Sequence, residues 1–141
     1  MWSALAEKAW AKIKGSYDIS DGGLQPMSIE GGRYQITFNG EIYNHFALRK
    51  LINHSFTTTS DTETLLYGLI QNGISFIEEL NGIFAFAFYD LKNNKLFLAR
   101  DHFGVKPLYY YSKNEEIVFA SEIKTLLQFP NFDKTINKNA I

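Results

Sequence analysis

The sequence predicts a mixed α+β fold. Three observations carry this. A capped stretch with helical periodicity begins at Ser60. From Ile83 onward the chain reads mostly as strands. Short turns join those strands, so that neighbours run antiparallel. With 141 residues, 45% apolar and 16% aromatic, the chain suits one domain that buries a real core.

Taken in order, Trp2, Leu5, Ala6, Ala9, Trp10 and Ile13 recur at helical spacing, with Glu7, Lys8, Lys12 and Lys14 on the other side. Ser3 suits the start of that helix and Gly15 its end. Its stripe fits packing on the domain, or alternatively a partner or a membrane surface. At roughly three turns such a helix is marginal alone. Asp18 to Gly32 is turn-rich, with four glycines and a proline. Arg33 to Phe38 alternates and meets Asn39-Gly40, as a strand entering a tight turn would. His45 to Leu51 reads as a short helix and Phe56 to Thr59 as a brief β-rich run. Ser60 with Glu63 three residues on forms a capping box. Leu65, Leu66, Leu69 and Ile70 share one face of the helix that follows, Gly73 closes it, and Ile74 to Leu80 makes a second short helix.

In Ile83–Tyr89, Phe84, Phe86 and Phe88 lie on one face and Ala85 and Ala87 on the other. The small residues predict something packed closely over them. Asn93-Asn94 turns the chain into Lys95–Arg100. Leu108–Tyr111 and Ile117–Ala120 form a further hairpin, and Ser121–Leu127 a terminal helical turn.

A net charge of −1 provides no field for nucleic acid or an anionic membrane. No window reaches the ~18 consecutive apolar residues of a membrane span. The Lys- and Ala-rich amino end does not read as a secretory signal. The sequence has no cysteine, which removes disulfides and thiol chemistry and fits a cytoplasmic protein. His45, His54 and His102 show no metal-ligand spacing and read as surface or core residues.

Six blocks stand in one register: Ser20–Met27, Phe38-Asn39-Gly40-Glu41-Ile42-Tyr43-Asn44, Ser60-Asp61-Thr62-Glu63-Thr64, Leu80–Asp90, Leu98–Tyr110 and Ala120–Lys124. Together they resemble the class II glutamine amidotransferase domain of glutamine-hydrolysing asparagine synthetases, over about residues 18–141. The resemblance implies a sandwich of antiparallel sheets flanked by helices, like that of the N-terminal-nucleophile hydrolases. Here it would be incomplete at its amino end and carry an added helix. Residues 1–17 resemble instead a helix of calpain-like cysteine proteases. The expected organisation is a foreign helix over 1–17, a truncated amidotransferase domain over 18–128, and a linker over 129–141. In the family that linker leads to an ATP- and Mg-dependent synthetase domain; no cofactor is expected within these residues.

Amide hydrolysis needs a nucleophile, a base and donors aimed at the developing oxyanion. The resemblance assigns the donors to Asn39 and Gly40, against the alternative of an ordinary Asn-Gly hairpin turn. Glu41 and Asp61 suit the α-ammonium of glutamine. Asp61 alternatively serves only the positive end of a helix. The block around Arg100, Asp101 and Lys106 reads as structural, with an Arg–Asp pair fixing a turn. The family's nucleophile is an N-terminal cysteine, which has no counterpart here. Ile13 falls where the family has the arginine that holds the substrate carboxylate. Losing that contact costs about ten- to a hundredfold in affinity.

The expected function is therefore a catalytically inactive remnant of an ammonia-supplying domain. Its expected partners are L-glutamine, bound weakly, and a synthetase domain, with self-association through sheet edges that missing strands would expose. The alternative is a non-catalytic interaction module on the same scaffold.

Overall fold

The computed structural model describes residues 25–113, 116–130, 132, 133 and 135. Strands β1 (Met27–Ile29), β2 (Tyr34–Ile42), β3 (Gly82–Asp90) and β4 (Lys95–Arg100) form an antiparallel sheet in the order β1-β2-β3-β4. Strands β5 (Tyr109–Lys113) and β6 (Glu116–Ala120) pair as a separate hairpin. Helix α1 spans His45–Arg49, α2 Asp61–Asn72 and α3 Ile123–Leu126; a 3-10 stretch, Gly73–Glu79, follows α2. Mixed helices and antiparallel sheets are what the strand and turn pattern predicts.

Residues paired across an antiparallel ladder share a face. Ile36, Phe88 and Phe97 therefore form one cross-strand row, and Phe38, Phe86 and Ala99 the next. This face packs on α1 and α2 through Leu48, Leu65, Leu66 and Leu69, with Phe76 of the 3-10 stretch. Phe38 and Phe86 are fully buried, and burying each such side chain stabilises the fold by about 1.5–3 kcal/mol. Gly68 of α2 lets the Phe76 ring lie directly on its backbone, where a Cβ would overlap the ring.

The opposite face carries Thr37, Ala87 and Leu98 in one row and Asn39, Ala85 and Arg100 in the next. The close packing that Ala85 and Ala87 predict is supplied by the second sheet. Ala87 and Phe119 of β6 are buried together, with Leu96, Leu98 and Leu108 against them. Helices thus cover the aromatic face of the first sheet and the β5–β6 hairpin its small-residue face.

Four expectations need correction. Asn39-Gly40 is no turn: β2 runs through it to Ile42, because Glu41 and Ile42 continue the pairing with Ile83 and Gly82. Phe56–Thr59 is not a strand but an irregular loop. The turn-rich segment before Arg33 contains β1 and a 3-10 turn at Glu30–Gly32, too short for periodicity to reveal. The capping box does not form, although Ser60 still caps the helix. The Ser60 hydroxyl accepts from the Thr62 N–H at 3.2 Å, but the Glu63 carboxylate turns to the preceding loop instead of to Ser60. The Trp2–Ile13 helix and the junction at Ser16–Asp18 lie outside the described residues, as does most of the 129–141 segment.

Candidate active site

The end of β2 and the start of α2 meet at one place. The Ile42 N–H donates to Asp61 Oδ2 at 2.9 Å, which ties the first residue of α2 to the strand carrying Asn39, Gly40 and Glu41. Burial pushes the Asp61 carboxyl above the usual carboxylate range. The Ile42 and Thr62 N–H groups and the nearby His45 oppose that rise, and Glu41 adds to it. Glu41 and Asp61 therefore lie within electrostatic reach of each other. Glu41 is exposed and Asp61 half-buried.

Backbone direction along β2 is fixed by its neighbours. In an antiparallel ladder, alternate residues turn both their N–H and C=O to one neighbour and the next residues to the other. Phe84, opposite Gly40, spends both groups on Asp101: its carbonyl accepts from the Asp101 N–H at 2.7 Å and its N–H donates to Asp101 Oδ2 at 3.2 Å. The N–H of Gly40 consequently points away from β3. So do those of Phe38 and Ile42, which donate to Gln25 Oε1 and Asp61 Oδ2. Beyond the last β1 pair, Met27 with Ile36, that edge has no strand partner among the described residues. The Gly40 N–H is therefore a donor without a described partner, between two neighbours that are satisfied.

Gly40 has φ +158°, and a Cβ there would run into the Ile83 carbonyl oxygen and lie 2.7 Å from Phe84 Cα. Only glycine allows β2 and β3 to approach this closely. The Asn39 side chain is half-buried on the opposite face. It lines a cleft with Thr37, Ala85, Leu108, Phe119 and Ser121, between the first sheet and the β5–β6 hairpin. Its amide makes no hydrogen bond among the described residues.

Several residues around this place hold its loops through contacts that local sequence signals do not specify. Glu63 accepts four hydrogen bonds, from Thr57 N (2.9 Å), Thr57 Oγ1 (2.9 Å), Thr58 N (2.8 Å) and Thr58 Oγ1 (2.7 Å). Burial opposes its charge, but the four donors win and hold it at about 2. Arg49 fastens the same loop. Asn44 clamps the start of α1 to the loop before β3, donating to the Glu79 carbonyl at 2.8 Å and accepting from the Asn81 N–H at 3.0 Å. The His45 ring lies tilted against Phe46, with ring centroids 4.0 Å apart. Burial lowers its pKa against the pull of Asp61. His54 stacks on Tyr67 and lies 3.4 Å from Glu63. His102 is exposed.

Asp101, not an Arg100–Asp101 pair, fixes the turn after β4. Its carboxylate accepts from the N–H groups of Phe103, Val105, Lys106 and Phe84. Although burial disfavours the charge, these donors lower its pKa. The Arg100 guanidinium lies instead where a side chain on Gly104 would sit.

Comparison with known sequences now decides the family. A profile of the glutamine amidotransferase domain matches residues 11–141. The chain belongs to this family. It is similar to asparagine synthetase (glutamine-hydrolyzing) 2 of Bacillus subtilis, at 43% identity over 116 residues, 82% of this chain and 16% of that protein. It is also similar to asparagine synthetase (glutamine-hydrolyzing) 3 of Bacillus subtilis, at 43% over 126 residues, 86% of the chain and 20% of that protein. Asparagine synthetase B (glutamine-hydrolyzing) of Escherichia coli is 39% identical over 108 residues, 74% of the chain and 20% of that protein. The chain thus spans about a fifth of the length of these amidotransferase relatives. Among the described residues no three His, Cys, Asp or Glu side chains group as a metal site would need, and no helix is long and apolar enough to cross a membrane.

Proposed function

We propose that these residues form the glutamine-binding part of an ammonia-supplying amidotransferase site of the asparagine-synthetase type. Asn39 and the Gly40 N–H are the donors for the amide oxygen of the substrate. Glu41 and Asp61 receive its α-ammonium. Two carboxylates within reach of each other favour a cation, and their own repulsion falls when it binds. The observation that carries this reading is the Gly40 N–H. It stands without a described partner on the strand that also holds Asp61 through Ile42, two residues on.

The 141 residues contain no cysteine, so the family's thiol chemistry needs a nucleophile from elsewhere. By themselves these residues bind glutamine and do not cleave it. In this reading ATP, magnesium and the carboxylate that is amidated belong to a synthetase partner.

Amide NMR with and without L-glutamine tests the proposal. Dispersed resonances that shift at Gly40, Glu41 and Asp61, and no ammonia release above a protein-free control, are expected. A dispersed spectrum that ignores millimolar glutamine refutes the binding site. Ammonia release that Asn39→Ala abolishes refutes the inactive reading.

A further inference from the structure

Asp61 opens a helix whose preceding loop has no secondary structure of its own, yet a binding carboxylate must stay in place. Three parts of the chain converge on Arg49, the last residue of α1. Its Nε donates to Thr64 Oγ1 in α2 at 2.8 Å, one terminal nitrogen to the Thr58 carbonyl at 2.7 Å, and the other to the Ser60 carbonyl at 2.6 Å. The Ser60 carbonyl belongs to the peptide that enters Asp61. The guanidinium plane also lies over the Phe56 ring, 4.3 Å from its centroid. From the other side, Glu63 holds Thr57 and Thr58. Arg49 sits in the short helix that begins three residues after Ile42, so it links the strand end bearing Glu41 to the helix start bearing Asp61.

The partners of this cation are all neutral. Among the described residues it forms no ion pair, although Asp61 and Glu63 belong to the helix start it touches. Its fork is spent on two carbonyls and a hydroxyl, a geometry that guanidinium supplies and a lysine ammonium does not. Pairing with Asp61 would compete with a substrate ammonium. Holding the backbone beside Asp61 leaves that carboxylate available.

We infer that Arg49 is a positioning residue for the ammonium subsite: it fixes Asp61 beside Glu41 and makes the site selective for an α-amino acid. This rests on the glutamine-binding reading above.

The test measures binding of L-glutamine and of its des-amino analogue, glutaramate, to the full chain. Glutaramate keeps the carboxylate and the amide but lacks the ammonium. Arg49→Lys with a dispersed spectrum is expected to weaken L-glutamine about tenfold and leave glutaramate unchanged. It is expected to cost nothing further when added to Asp61→Asn. Thr64→Val, which removes one of the three acceptors at nearly constant volume, gives a smaller loss of the same kind and serves if Arg49→Lys fails to fold. Equal losses for both ligands, or no loss for glutamine, overturn the inference. If Asp61→Asn leaves glutamine binding intact, or the unaltered chain does not bind glutamine, the underlying reading falls and this inference with it. If Asp61→Asn weakens binding and neither other variant does, only the inference falls.

Discussion

Glu63 lies three residues into the capped helix, and replacing it with glutamine probes how the loop before Asp61 is held. The carboxylate sits at about 2 in the folded chain against 4.5 for an ordinary glutamate. That difference is worth about 3 kcal/mol of stability at neutral pH. A second route to the magnitude runs through hydrogen bonding. In Glu63→Gln one carboxylate oxygen becomes an NH2 group that faces the N–H of Thr57 or Thr58. The threonine hydroxyls can rotate to accept, but a backbone N–H cannot, and one unsatisfied buried donor costs about 1–3 kcal/mol. The two routes agree. The sign follows from the depressed value. The stabilisation is complete above about 4.5 and is lost as pH falls toward the folded value near 2. Urea unfolding followed by far-ultraviolet circular dichroism, from pH 7 to pH 3, reads this directly. The unaltered chain should exceed Glu63→Gln by about 3 kcal/mol at pH 7 and by roughly half that at pH 3. A gap that stays constant across this range refutes the reasoning, because a packing defect does not titrate.

Other expectations follow from the same geometry. Gly40→Ala puts a Cβ into the β3 backbone and should lower unfolding free energy by about 3 kcal/mol in the same urea assay. Asp61 must be ionised to hold an ammonium and its pKa is raised by burial. Glutamine affinity should therefore rise with pH through that raised value and then level off, and Asp61→Asn should flatten the profile in calorimetric titrations. Phe103 is 94% exposed, so Phe103→Ser should change stability by less than about 0.5 kcal/mol. Asp101→Asn, which deprives the N–H groups of that turn of acceptors, should cost about 1–3 kcal/mol.

Local signals made the helices and hairpins legible. Leu65, Leu66 and Leu69 are buried where the period of α2 put them, and Gly73 ends that helix with φ +69°. The alternation of Phe84, Phe86 and Phe88 with Ala85 and Ala87 separated the two faces of β3, and the faces pack as that contrast implies. What failed was decided over longer range. Asn39-Gly40 carries the strongest short turn signal in the chain. It is overruled because Glu41 and Ile42 find partners about forty residues on, in Ile83 and Gly82. Glu63 carried the capping-box spacing, but the two N–H groups of Thr57 and Thr58 offered it more than the Ser60 N–H did.

That failed turn shapes the candidate site. Had Asn39-Gly40 closed a hairpin, its amide groups would have been taken up by the turn or by the adjoining strand. Running straight through instead, β2 sends alternate N–H groups to opposite edges. At the edge away from β3, Gln25 satisfies Phe38 and Asp61 satisfies Ile42. Gly40, between them, has no partner for its N–H among the described residues. The absence of a side chain there is required by β3, whose Ile83 carbonyl and Phe84 Cα occupy the space. The close approach that demands glycine and the strand direction that exposes its N–H are thus consequences of one pairing register. A one-residue slip between β2 and β3 would turn the Gly40 N–H toward β3 and the Asn39 N–H outward. It would also carry Phe38 out of the core. The same hydrophobic pattern that builds the core therefore fixes which amide N–H groups of β2 face away from β3.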